Sequence, residues 1–226
     1  MTDAHPHRIL AVDGLCNARD LGGLTRNGGG RTPYGVFFRS ECPHTVTPTG
    51  WEQLHARGIR TVVDLRQPAE RERTPSAAPA WATAMHVDHD GLEEHPEFWA
   101  DFWDNGLVGT ALYYLPHLTA LPHRSAAILA ALAQAPEGGV LFHCAGGRDR
   151  TGLIATLLLR LAGATPEAIV DDYLLSVGNG AAVAAARGQA DPEPGLEALC
   201  HRHGTTTEDA FREVVATLDL EPARRC

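Results

Sequence analysis

Gly139-Val-Leu-Phe-His-Cys-Ala-Gly-Gly-Arg-Asp-Arg-Thr-Gly152, followed by the largely apolar run Leu153 to Ala162, decides how the rest of this chain is read. Val140-Leu-Phe142 is short, apolar and bounded by Gly139, which predicts a buried strand. Leu153 to Leu159 predicts a helix buried over most of its circumference. Cys144 to Arg150 must then form a tight loop between a strand end and a helix start. In such a loop the backbone N–H groups of Ala145, Gly146, Gly147, Arg148, Asp149 and Arg150 turn inward, at the positive end of a helix dipole. The stretch is an anion cradle.

The cradle selects a chemistry. Inward N–H groups, a helix N-terminus and a nearby guanidinium all favour a thiolate, the nucleophilic form of cysteine. An anion held beside Cys144 should be one that sulfur attacks, and a phosphate monoester fits, with Arg150 gripping two oxygens as a planar fork. The expected product is a cysteinyl-phosphate that water later hydrolyses. Cys144 is the candidate nucleophile, and Arg150 the candidate phosphate binder and transition-state stabiliser. Thr151 is placed to donate to the departing thiolate, and His143 to orient the loop rather than transfer protons. This mechanism needs no metal or cofactor, and none is expected.

Cys-x5-Arg-Thr preceded by His143 resembles the cysteine-dependent protein tyrosine and dual-specificity phosphatases. The fuller string is similar to the bacterial branch that includes lipid-phosphatase-like enzymes. Four further segments carry that likeness in the expected order: Asn17-Ala-Arg-Asp-Leu-Gly-Gly23, Phe38-Arg-Ser40, Val63-Asp-Leu-Arg66 and Asp172-Tyr-Leu-Leu-Ser176. The resemblance implies an α/β fold of the tyrosine phosphatase type, with a mostly parallel central sheet, flanking helices and a helical insertion. It also implies phosphotyrosine protein or a small phosphomonoester as substrate, and it brings Asn17, Arg19 and Asp20 near the loop with Arg39 buttressing it. A structural turn with a surface Arg19/Asp20 pair is the alternative for the first three. One departure stands out: the family commonly has Lys where this chain has Arg148. All 19 basic residues here are arginine, so the exchange also fits the composition. Phosphoinositides and other nonprotein phosphates stay open as substrates, as does an inactive relative that binds phosphorylated ligands without turnover.

The chain has 226 residues, 44% hydrophobic and 21% charged, which suits one α/β domain over residues 1–226. A net charge of −9 argues against nucleic acid as a partner and against stable association with anionic membranes. Oligomeric state is not legible. Met1 to Arg8 is polar and His-rich, reads as a loose tail and carries no apolar leader, so a cytoplasmic location is expected. Cys16, Cys42, Cys144, Cys200 and Cys226 are odd in number and scattered, unlike a disulfide framework.

A general acid must protonate the leaving oxygen, and four aspartates compete. Asp64 closes the predicted strand Ile59 to Val63, and Asp149 lies within the loop itself. Asp88 and Asp90 sit where a mobile acid-bearing loop, a plain polar loop or a metal site with His86 are alternatives. A charge run at Glu70-Arg-Glu-Arg73 reads as a solvated face. Residues 91–121 read as the insertion, with Phe98, Trp99, Phe102 and Trp103 on one face of a helix that is a candidate lid. Thr47-Pro48 and Thr165-Pro166 predict helix starts, and Gly58 and Gly163 helix stops. Ser125 is a candidate cap for a helix from Ala126 to Ala135. Gly178 to Gly195 is Ala-, Gly- and Pro-rich and reads as partly flexible.

Overall fold

The computed structural model describes residues 7–218. His5, most of the expected tail and Cys226 lie outside these residues. Five strands form one sheet in the order β1-β2-β5-β3-β4. They are β1 Arg19–Asp20, β2 Phe37–Ser40, β3 Ile59–Asp64, β4 Thr83–His86 and β5 Gly139–His143. The short β1 is antiparallel to β2, and every other neighbour is parallel. The expected α/β architecture with a mostly parallel sheet is what the chain adopts.

Strand β5 is central and buried throughout, because parallel sheets are covered on both faces. Its side chains alternate between two cores, as the two-residue strand period requires. Val140 and Phe142 join Val63 beneath helices α5 Pro122–Ala133, α6 Arg150–Leu161, α7 Pro166–Gly178 and α10 Thr207–Thr217. Leu141 faces the other way, with Phe38, Ile59 and Leu54, the last from α1 Pro48–Ala56. Helix α6 buries Leu153, Ile154, Leu157 and Leu159, each contributing about 1.5–3 kcal/mol of transfer free energy. The anchor behind the anion loop is therefore among the most deeply packed helices.

Local signals explain most boundaries. Thr47 and Thr165 accept from Gly50 N and Ala168 N, capping α1 and α7, each with a proline in the first turn. Gly58 and Gly163 follow α1 and α6 with φ of +86° and +77°, the left-handed conformation that ends helices. Two expectations fail. Helix α5 starts at Pro122, so Ser125 lies inside it and its hydroxyl meets His89 Nε2 at 3.2 Å. The proline at the first position supplied the start that Ser125 was expected to give. Gly178 to Gly195 is also more regular than expected: α8 Gly180–Ala186 occupies its centre and α9 Glu193–Arg202 begins at its end. Its alanines, strong helix formers, outweigh the glycines.

The segment 91–121 contains α3 Pro96–Trp103, a single 3-10 turn Ala111–Tyr113 and α4 Tyr114–Ala120. Trp99, Tyr113 and Tyr114 from it are buried in the main core, while Trp103 is half exposed. Helix α2 Pro68–Arg73 completes the set, following β3 on the same edge of the sheet as β5's loop. No helix among the described residues is long and apolar enough to cross a membrane.

Candidate active site

Cys144 follows the last residue of β5, and Arg150 opens α6, so the loop between them lies at the carboxyl end of the parallel sheet. Its carbonyls are tied back from outside. Cys42 N donates to Ala145 O at 2.8 Å, Asn17 Nδ2 reaches Gly146 O and Gly147 O at 3.4 and 3.3 Å, and an Arg39 NH group donates to Gly147 O at 2.8 Å. These bonds draw the carbonyls of Ala145, Gly146 and Gly147 away from the loop's centre. Gly147 has φ +70°, and a Cβ there would collide with the Ser40 carbonyl and Glu41 N, so only glycine lets the loop press against the end of β2.

The buttress has its own foundation. Asp172 on α7 receives Arg19 at 3.0 Å, Arg39 at 2.7 Å and also Arg8, all buried. Burial alone would raise its carboxyl pKa, yet the three guanidinium groups hold it far below the usual range. Ser176 Oγ accepts from Arg19 at 2.7 Å and from Asn17 at 3.2 Å. Asn17, Arg19 and Arg39 are thus gathered behind the loop. Asp20 is not: it accepts from Gly22 N and Gly35 N at 2.7 and 2.9 Å and fixes a turn. Arg8, at the border of the expected tail, is buried in this network.

Arg150 is held at the mouth by two carboxylates. Its NH groups donate to Glu70, one of them at 2.8 Å, and to Asp90 Oδ2 at 3.1 Å. Only the terminal nitrogens are used, which leaves the Nε edge out of these bonds. Burial opposes charge on Arg150, but Asp90 and Glu70 keep it firmly protonated. Asp90 also accepts from Gln67 Nε2 at 2.7 Å. Burial would raise its pKa, but Arg150 beside it and His89 draw it down to about 2. Glu70 is depressed in the same way, by Arg150 against burial.

The competing aspartates separate cleanly. Asp64 is bound by Arg66 through bonds of 2.9 and 2.7 Å, and burial is outweighed by that guanidinium, so its pKa is lowered. A carboxylate so engaged is a partner of Arg66, and its lowered pKa sets it apart from the protonated acid that the sequence reading offers among four candidates. Asp88 caps the turn at Asp90 N and Gly91 N. Asp90 is an ionised clamp on Arg150. Asp149 differs: it occupies the N-cap position of α6, accepts from Tyr113 Oη at 2.9 Å, and burial raises its pKa.

The Arg148 side chain has partners of its own. Its Nε lies 2.7 Å from Glu193, another nitrogen donates to Gly109 O, and the guanidinium stands 5.5 Å from the centre of the Tyr173 ring. The side chain lies along the loop's outer edge, and its second terminal nitrogen is buried without a hydrogen-bond partner among the described residues. His143 is buried, which lowers its pKa to about 4, and its Nδ1 is 3.0 Å from Cys144 O. It is neutral at pH 7 and meets the loop at the carbonyl of Cys144. Thr151 Oγ1 is buried with no partner among the described residues. Trp99 Nε1 donates to Asp90 O at 2.8 Å, so the aromatic stripe of α3 steadies the arm bearing that carboxylate.

Glu70 overturns the reading of Glu70 to Arg73 as a solvated face, because its carboxylate turns inward to hold Arg150, and Tyr113 is not singled out by the sequence. A signal for Glu70 existed: it follows β3 by a few residues, at the sheet edge where Cys144 ends β5. Tyr113 carried none, since its place depends on how the insertion folds back. Among the described residues no group of three His, Cys, Asp or Glu side chains is placed to hold a metal ion.

A thiol at a strand end, carbonyls turned outward and an arginine opening the next helix define a Cys-x5-Arg anion-binding loop on an α/β scaffold. The chain belongs to the tyrosine phosphatase family, whose sequence model matches residues 10–221. A Cupriavidus necator protein named as a tyrosine-protein phosphatase is 32% identical over 180 residues, 74% of this chain and 62% of that one. A Nostoc commune tyrosine-protein phosphatase is 30% identical over 148 residues, 64% of this chain and 49% of that one. The aligned region thus spans about half to three-fifths of the length of these relatives. More distant is the solved structure of Pseudomonas aeruginosa TpbA in complex with phosphotyrosine, with a TM-score of 0.39 at 19% identity, covering 95% of this chain and 99% of that one.

Proposed function

We propose that this chain hydrolyses phosphomonoesters, phosphotyrosine foremost, through a cysteinyl-phosphate. The observation that carries the reading is the pairing, in one loop, of Cys144 with a buried carboxyl of raised pKa, Asp149, opposite a clamped Arg150. Cys144 Sγ attacks phosphorus, the S–P bond forms as the P–O bond to the leaving group breaks, and Asp149 gives its proton to the departing oxygen. Loop N–H groups and the Nε edge of Arg150 hold the phosphoryl oxygens as charge shifts among them. Water then attacks phosphorus, Asp149 takes its proton, and the S–P bond breaks with the electron pair returning to Sγ. The unpartnered Thr151 hydroxyl supports a role as donor to that thiolate.

Leaving-group chemistry favours aryl phosphates. A phenol with pKa of about 10 departs with less help than an aliphatic alcohol. The Arg148 guanidinium, engaged with Glu193 and Gly109, offers no extra charge for a polyphosphorylated ring. The test is steady-state hydrolysis of para-nitrophenyl phosphate in excess chelator, wild type against Cys144→Ser. Turnover abolished by the substitution supports the reading. Folded, reduced wild type that binds phosphotyrosine without turnover would make the chain a phospho-ligand binding protein instead.

A further inference from the structure

Beside the phosphate loop lies a cavity of about 260 Å³ whose walls include Ala145, Glu70, Arg66, Arg73 and Arg187. Ala145 and Glu70 also belong to the site already described, so the two spaces share a wall. Three guanidinium groups and one carboxylate line it, but the formal charges are not equally available. Arg66 is neutralised by Asp64 and Glu70 is spent on Arg150. Arg73 bonds only Ala69 O of its own helix, through Nε at 3.3 Å, and neither Arg73 nor Arg187 has a carboxylate partner among the described residues. Two uncompensated positive charges from separate elements, the end of α2 and the residue after α8, therefore face one cavity. In a chain of net charge −9 this local excess needs a reason.

We propose that this cavity is a second anion subsite, which takes an acidic side chain adjacent to the phosphotyrosine of a peptide substrate. The inference rests on the phosphatase reading above. A phosphotyrosine that reaches the loop with its phosphate leaves its backbone at the rim, one ring length out, where neighbouring side chains sweep across to Arg73 and Arg187. A glutamate there forms charge-assisted bonds with guanidinium groups that otherwise have no carboxylate partner among the described residues. Because both arginines are at the rim, the preference is moderate and screened by salt.

The experiment compares kcat/KM on two phosphotyrosyl peptides that differ only in Glu or Gln flanking the phosphotyrosine, for wild type and for Arg73→Gln, Arg187→Gln and the double variant. Expected is a preference for the Glu peptide of roughly fivefold or more at low ionic strength, falling stepwise to parity in the double variant and shrinking as salt is added. Parity in wild type overturns the proposal, as does a preference that the double variant retains. Hydrolysis of para-nitrophenyl phosphate by wild type reports separately on the phosphatase reading. Should that fail, dissociation constants of the same two peptides from Cys144→Ser and its triple variant put the same ratio to the test.

Discussion

Tyr113 Oη donates to Asp149 Oδ2 at 2.9 Å, while Asp149 Oδ1 is buried with no partner among the described residues. In the mechanism proposed above, Oδ1 is the atom that carries and gives the proton. Asp149→Asn is expected to lower kcat on a phosphotyrosyl peptide by about 10²- to 10³-fold, within the range of general acid catalysis. The loss should be much smaller on para-nitrophenyl phosphate, whose leaving group needs less protonation. Steady-state rates on the two substrates check it.

The same carboxyl sets a pH dependence. Its pKa is raised by burial, so the native state binds a proton that the unfolded chain releases near pH 4. Stability is therefore lost as pH rises from that value through the raised one. Asp149→Asn removes this cost, and its thermal midpoint should gain on wild type between pH 4 and 7 while activity falls. Tyr113→Phe deletes a bond that favours the carboxylate, so the basic limb of kcat against pH should move upward.

Asp172 carries three arginines, of which Arg39 itself ties back Gly147 O and Arg19 holds Asn17, which ties back the same loop. Asp172→Asn leaves Arg8, Arg19 and Arg39 buried around a neutral amide and should cost about 3–5 kcal/mol, read from urea unfolding. A depressed carboxyl pKa gives stability that is fully present above the unfolded value and lost as pH falls. The wild type should accordingly weaken below about pH 4, and the variant should show less of that acid slope.

Glu70 and Asp90 fix Arg150 from one side. Glu70→Gln keeps the shape but halves the charge pairing, and kcat/KM on para-nitrophenyl phosphate should fall about tenfold, near the value of one charged hydrogen bond. Asp90→Asn should do at least as much, since the amide also disturbs the bond from Gln67. Inhibition constants for inorganic phosphate separate lost binding from lost turnover.

Arg148→Lys installs the residue more common in the family. An ammonium cannot span Glu193 and Gly109 O as the planar fork does. The expected outcome is a loss of about 1–2 kcal/mol in unfolding free energy, with KM for para-nitrophenyl phosphate within about twofold of wild type. A large KM change at constant stability would return the side chain to phosphate binding.

The sheet and its loop were legible because their signals are local. Apolar β5, the glycines of the cradle, and Thr47-Pro48 and Thr165-Pro166 each act within a few residues. The buttress was legible only through family resemblance, which brought Arg39 to the loop. Which carboxylate meets which arginine was not legible: Asp64 ends β3, Glu70 follows it and Asp90 follows the neighbouring β4, and side-chain reach alone decides that Arg66 takes the first and Arg150 the other two. Tyr113 depends on the packing of a whole insertion, for which no period or spacing stands proxy. Gly178 to Gly195 misled because glycine and proline weigh heavily in a short window, while the alanine run and α8's packing of Val183 and Ala184 count only once the fold has formed.

A covalent phosphoryl group on Cys144 is detected most directly by rapid acid quench during turnover of a phosphotyrosyl peptide, followed by mass spectrometry of the peptide containing Cys144. A phosphoryl adduct on Cys144 is expected that is enriched at early times, decays as substrate is exhausted, and is absent in Cys144→Ser. Sustained turnover with no adduct at the earliest quench times, or an adduct that maps to another residue, would contradict it.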